Sequence, residues 1–165
     1  MNLLVKNDLF DYKNRYIMQF ENAFKFSLDS LLLAEFVSVK KTDKNILDMC
    51  TGNAPVPLIL SLKTNSFITG FEIQKDIAYL ASESVKINNI ENIKFKCGAV
   101  ENILEDLIKE ENIAPNIVFV DPPRRGLDKN TIDNILSKIT NWTSNVKNTV
   151  KTAFSNVYDF ITSPF

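Results

Sequence analysis

Three acidic side chains stand at the ends of short apolar runs in this sequence. Asp48 lies in the run 45–49, Glu72 closes the run 67–72, and Asp121 follows the β-branched run 117–120. A carboxylate at the tip of a buried parallel strand can accept hydrogen bonds from both hydroxyl groups of a ribose. Glu72 lies twenty residues after Gly52, which is the spacing of such an acid in nucleotide-binding sheets. We therefore expect Asp48 and Glu72 to converge on one pocket for a nucleotide-containing cofactor.

The loop that follows Asp48 is predicted to lie against that cofactor. Its sequence, DMCTGNAP, contains Gly52 but lacks the Gly-x-Gly-x-x-Gly spacing of dinucleotide sites, which disfavours a nicotinamide-dependent oxidoreductase. Only three other glycines occur in the chain, and each is close to the end of a predicted strand: Gly70, Gly98 and Gly126. Glycine at such positions permits backbone conformations that a side chain would obstruct.

Short apolar runs alternate with segments of helical periodicity between residues 46 and 139. Four runs predict strands, at 45–49, 67–72, 93–97 and 117–121, and the segments between them repeat apolar residues at helical spacing. This alternation predicts an α/β fold with a parallel sheet of about four strands and helices on both faces. Ligands of such sheets bind beyond the carboxyl ends of the strands, where the strand order reverses. The predicted elements thus bring the acidic strand ends together.

The flanking segments are predicted to be helical. Residues 1–40 are expected to form a helical cover, with an amphipathic helix over 27–39, and residues 141–165 an amphipathic helical tail. One domain over residues 1–140 followed by this tail is the expected organisation. The tail contributes no strand in this prediction, so the sheet is expected to be truncated.

The composition limits the possible chemistry. The 165 residues are 45% hydrophobic and 24% charged, which is typical of a soluble globular domain, and no apolar run is long enough for a membrane span. We therefore expect a cytoplasmic protein without membrane contact. The chain has no histidine, which excludes Ser–His and Cys–His catalysis, and no metal site is expected. Cys50 and Cys97 are expected to be buried thiols in a reducing compartment.

Two families of RNA methyltransferases resemble different parts of the chain. Residues from about 7 to 92 resemble the bacterial enzymes that modify the exocyclic amine of an anticodon-loop adenine in valine tRNA. The matching words are FKFSLDSLLLA at 24–34, LD at 47–48, TGNAP at 51–55 and GFEIQ at 70–74. Residues from about 95 to 139 resemble the RNA 5-methyluridine methyltransferases, on the words CGA at 97–99, with Glu101, and VDPPRRGLD at 120–128.

Both resemblances imply a Rossmann-like domain that binds S-adenosylmethionine. By the resemblance, residues 48–54 surround the methionine part of the cofactor, Glu72 holds the ribose, and Glu101 lies in the region that borders the adenine. The implied cofactor-binding residues are Asp48, Cys50, Gly52, Asn53, Glu72, Ile73, Glu101 and Asp121. The same resemblance implies that residues 1–140 are the methyltransferase domain.

The two families differ in the base that they methylate. Methylating an amine requires positioning rather than a nucleophile, and the resemblance assigns that work to Asp121, Pro122 and Pro123. Methylating carbon 5 of uracil requires a cysteine thiolate that adds to the ring and a base that later removes a proton. No cysteine follows Cys97.

The prediction is therefore an S-adenosylmethionine-dependent RNA methyltransferase that acts on the exocyclic amine of adenine, with tRNA favoured over rRNA. The net charge of −1 gives no general attraction to RNA. The adjacent Arg124 and Arg125 are therefore the expected RNA contacts. The alternatives are a fragment of a uracil-5-methyltransferase and a folded but inactive cofactor-binding remnant of two joined genes.

Overall fold

The computed structural model describes residues 3–10, 12, 14–22, 25–100, 102–104, 115–122, 126–127, 129–145 and 151–152. Within them lie seven strands and four helices. The strands are β1 (Leu4–Asp8), β2 (Tyr16–Phe20), β3 (Asn45–Met49), β4 (Phe67–Glu72), β5 (Ile93–Cys97), β6 (Ile117–Val120) and β7 (Lys151–Thr152). The helices are α1 (Leu28–Phe36), α2 (Pro55–Leu60), α3 (Lys75–Ile87) and α4 (Lys129–Asn145). No helix in this part of the chain is long and apolar enough to cross a membrane.

A parallel sheet forms the centre of the molecule and confirms the predicted fold class. Its strand order is β5-β4-β3-β6-β7, and every pairing is parallel. Successive residues of a strand face opposite sides of a sheet, and in β3 Ile46 packs in one apolar cluster and Leu47 in the other. Residues of α1, α2 and α3 cover the face of Ile46, and Ile135 of α4 covers the face of Leu47.

The sheet has one strand more than the sequence predicted. β7 lies in the segment expected to be a helical tail, where its two residues pair with Ile117 and Val118 of β6. The sequence TVKT at 149–152 is rich in β-branched residues, which favour strands. The helical spacing of apolar residues predicted α4 correctly as far as Asn145. The rest of the predicted helical tail, residues 146–150 and 153–165, lies outside the described residues.

The N-terminal segment is only partly helical. Helix α1 forms inside the predicted range 27–39, but β1 and β2 pair as an antiparallel hairpin where a helical cover was expected. Burial alternates along β2, with Ile17 and Gln19 buried and their neighbours half-exposed. This period of two is a strand signal, so the prediction of helix over these residues was wrong.

Side chains fasten the open edge of β2 to the rest of the molecule. The Asn88 amide accepts from the Tyr16 N–H at 2.9 Å and donates to the Tyr16 carbonyl at 2.6 Å. Ser84 Oγ accepts from the Met18 N–H at 2.9 Å, and the Asn53 amide donates to the Met18 carbonyl at 3.2 Å. These side chains take the place of a neighbouring strand and satisfy backbone groups that would otherwise be unpaired.

Replacing Ser84 is expected to loosen the hairpin. Ser84 is fully buried, so Ser84→Ala leaves the Met18 N–H without its acceptor and should lower the free energy of unfolding by about 1–3 kcal/mol. Ser82→Ala is the matched control, because the Ser82 hydroxyl bonds the Ala78 carbonyl within the helix, as that of Ser84 bonds Leu80. Urea unfolding measures both variants. Equal effects of the two substitutions would contradict the docking role.

Candidate cofactor site

Three neighbouring strands end together at the carboxyl edge of the sheet. The pairs Asp48–Gly70 and Met49–Phe71 join β3 to β4, and Met49 also pairs with Val120 of β6. The chain passes from β3 to β4 on one side and later returns to β6 on the other. The strand order therefore reverses at β3, which is where sheets of this kind bind ligands. The predicted adjacency of the two acidic strand ends is confirmed.

Asp48 is a buried carboxylate with an unfilled bonding position. Only 1% of its surface is exposed, and Oδ2 accepts a hydrogen bond from Thr51 Oγ1 at 2.5 Å. Its Oδ1 accepts no hydrogen bond from any residue that the structure describes. Burial raises the pKa of this carboxyl well above its usual range, and the nearby carboxylates of Asp121 and Glu72 raise it further. A donor or a cation from a ligand would remove this deficit.

Glu72 joins the loops that follow β3 and β4. Its side chain is 6% exposed, so it is not a solvated acid at a strand end. Oε2 accepts from the Gly52 N–H at 3.0 Å, and Oε1 accepts from the Gln74 N–H at 2.8 Å. A carboxylate oxygen has two lone pairs, so each oxygen keeps one site for a further donor. That capacity matches the two hydroxyl groups of a ribose.

The loop after β3 turns through three left-handed residues. Cys50, Gly52 and Ala54 have φ angles of 65°, 56° and 74°. Side chains disfavour this region, yet two of the three residues carry one. A Cβ built on Gly52 meets no atom within 4 Å. Open space therefore borders the backbone of Gly52, whose N–H also bonds Glu72, and a ligand can approach the chain closely there.

Asp121 extends the line of Glu72 and Asp48 to a third strand end, that of β6, which pairs with β3 on the side opposite β4. We name these three residues the row of acids. Its N–H bonds the Met49 carbonyl at 3.2 Å, and its Oδ2 accepts from Ser30 Oγ of α1 at 2.7 Å. Burial raises the pKa of the Asp121 carboxyl, the bond from Ser30 opposes that shift, and the nearby Asp29 adds to it. Ser30 is 7% exposed and was not predicted as a site residue. The sequence holds no local signal for this contact, because 91 residues separate the two partners.

The other predicted site residues divide into two groups. Pro122 lies half-buried beside Asp121, Ile73 is 68% exposed beside the buried Glu72, and the Asn53 amide holds the hairpin through Met18. The remaining four lie outside the described residues: Glu101, Pro123, Arg124 and Arg125.

The cysteines differ from the prediction of two buried thiols. Cys50 is half-buried in the loop after β3, and Cys97 is exposed. Cys97 ends β5, which is the outermost strand of the sheet among the described residues, so fewer of those residues cover it. Glu72 pairs with Cys97 across the sheet, so this thiol lies beside the row of acids rather than in the core.

The arrangement suits a cationic, nucleoside-containing ligand. Glu72 lies close enough to Asp48 to raise the pKa of the Asp48 carboxyl, and both side chains are nearly inaccessible to water, so a positive charge between them is favoured. Glu72 retains acceptor sites, and Gly52 leaves room for close approach. S-adenosylmethionine, which carries a sulfonium, an ammonium and a ribose, fits these features.

Comparison with known proteins identifies related sequences. The sequence profile of the family described as tRNA (uracil-5-)-methyltransferase matches residues 11–157. An uncharacterized RNA methyltransferase of Protochlamydia amoebophila is 40% identical over 78 residues, which are 47% of this chain and 18% of that protein. A putative RNA methyltransferase of Acanthamoeba polyphaga mimivirus is 38% identical over 104 residues, which are 58% of this chain and 26% of that protein. The matched region thus spans about a fifth to a quarter of these relatives.

Solved structures share the fold. The tRNA (uracil-54, C5)-methyltransferase of Pyrococcus abyssi, in complex with S-adenosyl-L-homocysteine, superposes with a TM-score of 0.59 at 20% identity, over 82% of this chain and 32% of that one. A SAM-dependent methyltransferase of Agrobacterium tumefaciens superposes with a TM-score of 0.62 at 12% identity, over 85% of this chain and 49% of that one. The fold is therefore the Rossmann-like methyltransferase fold that the sequence predicted.

Neutralising Asp48 is expected to stabilise the free protein. A carboxyl whose pKa is raised by folding binds more protons when folded than when unfolded, so stability falls as pH rises from about 4 through the raised pKa. Asp48→Asn removes this loss and should raise the free energy of unfolding at pH 7 by about 1–3 kcal/mol, on the order of the cost of an unsatisfied buried polar group.

Urea unfolding between pH 4 and pH 8 measures this effect. The exposed Asp76 of α3 supplies the control variant, Asp76→Asn, which should keep the pH dependence of the native protein. A variant at position 48 with an unchanged pH slope would show that burial of the carboxylate does not carry this cost.

Proposed function

The chain belongs to the tRNA (uracil-5-)-methyltransferase family, and from this membership we propose that it binds S-adenosylmethionine at the carboxyl edge of its sheet and takes part in RNA methylation. The observation that carries the proposal is the row of Asp48, Glu72 and Asp121 on three adjacent strand ends, with Oδ1 of Asp48 left unsatisfied.

Each residue of the row has a distinct role in the proposal. Glu72 accepts from the ribose hydroxyls through the lone pairs that Gly52 and Gln74 leave free. Asp48 provides negative charge for the cationic end of the cofactor, and the exposed Ile73 offers an apolar surface beside it. When bound, S-adenosylmethionine would supply a methyl group on a sulfonium, and S-adenosylhomocysteine would be the leaving group. Asp121, held by Ser30, then faces the base that accepts the methyl group.

Uracil carbon 5 is the proposed target, because the matching family is defined by that reaction. The expected adenine amine gains no support from the family match and becomes the second candidate. An acid followed by two prolines, as at Asp121, suits an amine target, which needs only acceptors and positioning.

The RNA partner is part of the same proposal. The family match favours tRNA over rRNA. Arg124 and Arg125 follow the row of acids in sequence and remain the predicted contacts to RNA there. Glu101 remains a predicted neighbour of the adenine.

Replacing Glu72 should weaken cofactor binding. Glu72→Gln keeps the size of the side chain but removes its charge, so we expect the affinity for S-adenosylmethionine to fall by about 1–3 kcal/mol. Calorimetric titration with the cofactor and with S-adenosylhomocysteine measures the change. The control is Glu91→Gln, which alters an exposed acid between α3 and β5. An unchanged dissociation constant in the Glu72 variant would exclude the ribose role.

Replacing Asp121 should stop methyl transfer while leaving cofactor binding nearly intact. We expect no incorporation of labelled methyl groups into unmodified tRNA by Asp121→Ala, and normal incorporation by Asp133→Ala, which alters an exposed acid of α4. Nucleoside mass spectrometry of the product distinguishes 5-methyluridine from N6-methyladenosine. Transfer by the Asp121 variant would refute its assignment. Cofactor binding without any transfer by the native chain would favour the inactive remnant.

A further inference from the structure

A groove lined with lysines lies at the end of the sheet opposite the row of acids. It encloses about 540 Å³ between residues 39–44, which lead from α1 into β3, and residues 63–67, which lead from α2 into β4. Lys40, Lys41, Lys44 and Lys63 all line it, and Asp43 is the one acid in its lining. We name it the lysine groove. Four cations in one depression stand out in a chain whose net charge is −1.

The acids near the lysine groove are already engaged. Asp43 Oδ2 accepts from the Lys40 N–H at 2.8 Å, and Glu35 Oε2 accepts from Lys63 Nζ at 2.7 Å. Lys63 also donates to the Ala34 carbonyl at 3.1 Å. Lys40, Lys41 and Lys44 are exposed and belong to neither ion pair found in the described part of the chain. Their ammonium groups therefore give the groove a net positive charge.

Hydrogen bonds fix the two walls of the groove to each other. Ser66 Oγ donates to the Asp43 carbonyl at 2.8 Å, and the Phe67 N–H donates to the Lys44 carbonyl at 2.8 Å. Phe67 projects at this edge with 65% of its surface exposed. A cationic groove beside an exposed aromatic ring combines the two features by which proteins hold RNA, since lysines pair with phosphates and a ring stacks on an unpaired base.

We propose that the lysine groove is a second RNA-binding surface that holds the phosphate backbone of the substrate away from the methylation site. The proposal rests on the RNA substrate of the proposed function. A five-residue strand such as β3 spans about 17 Å, so an RNA that reaches both ends of the sheet must be several nucleotides long. The groove therefore adds affinity and orientation without reading the methylated base.

The test measures how RNA affinity depends on salt. Native protein and the triple variant Lys40→Gln, Lys41→Gln, Lys44→Gln are titrated with unmodified transcribed tRNA from 50 to 300 mM KCl. The logarithm of the binding constant falls linearly with the logarithm of the salt concentration, and each lost phosphate contact makes this slope shallower by about 0.7 to 0.9. The slope of the triple variant should therefore be smaller in magnitude by about 2 to 3. We expect at least roughly tenfold weaker binding at 50 mM salt.

Two control variants separate the groove from total charge. Lys40→Arg, Lys41→Arg, Lys44→Arg keeps the charge and should keep the slope. Lys86→Gln with Lys94→Gln removes charge from α3 and β5 and should change the slope much less. If both Gln variants lose the same amount of slope for each charge removed, the proposal is overturned. That result would mean that RNA responds to the total charge of the protein rather than to the lysine groove.

Other outcomes are also decisive. A native slope that the triple Gln variant leaves unchanged would overturn the lysine groove alone and leave the proposed function standing. If the triple Gln variant loses binding to phosphatidylserine vesicles but binds tRNA as the native protein does, the lysine groove contacts membranes, and its proposed role in RNA binding is overturned. A slope that falls as expected, in a chain that binds no S-adenosylmethionine in calorimetry, would support the groove and refute the proposed function.

Discussion

The burial of the Asp48 carboxyl near two other carboxylates, at the carboxyl edge of the central sheet, is the electrostatic feature on which the candidate site depends. Asp48 is almost fully buried, and the carboxylates of Glu72 and Asp121 lie near enough to raise its pKa. Folding gains nothing from gathering like charges away from water. A cationic ligand would offset this cost, so the burial of Asp48 is an argument for a binding site at this edge of the sheet.

The N-terminal segment contacts the row of acids and the loop after β3 through two hydrogen bonds. The Asn53 amide joins the loop after β3 to Met18 of the hairpin, and Ser30 of α1 bonds Asp121. The first contact is made by the residue next to Gly52, whose N–H bonds Glu72, and the second reaches Asp121 itself. The loop after β3 and Asp121 are therefore each held by an element that precedes them by many residues in sequence.

The sequence predicted the parts of the site that local patterns encode. Their position at the ends of apolar runs identified Asp48, Glu72 and Asp121 as candidates. The alternation of predicted strands and helices indicated that β3 and β4 are neighbours, as the structure shows. The sequence did not reveal Ser30, because a single serine in a helix carries no mark of a partner 91 residues away. It also missed β7, a strand of only two residues in a segment whose apolar spacing predicted a helix.

In the loop after β3, Cys50 and Ala54 adopt a backbone conformation that residues with side chains rarely adopt. Both adopt the left-handed conformation that glycine takes most easily, at a cost on the order of 1 kcal/mol or more for each residue. Hydrogen bonds such as Thr51 N–H to the Phe71 carbonyl and Gly52 N–H to Glu72 hold the loop in place nonetheless. Glycine is thus the least strained residue for this loop conformation but not a required one. A sequence motif that requires glycine at these positions will miss chains that adopt the same loop conformation with other residues.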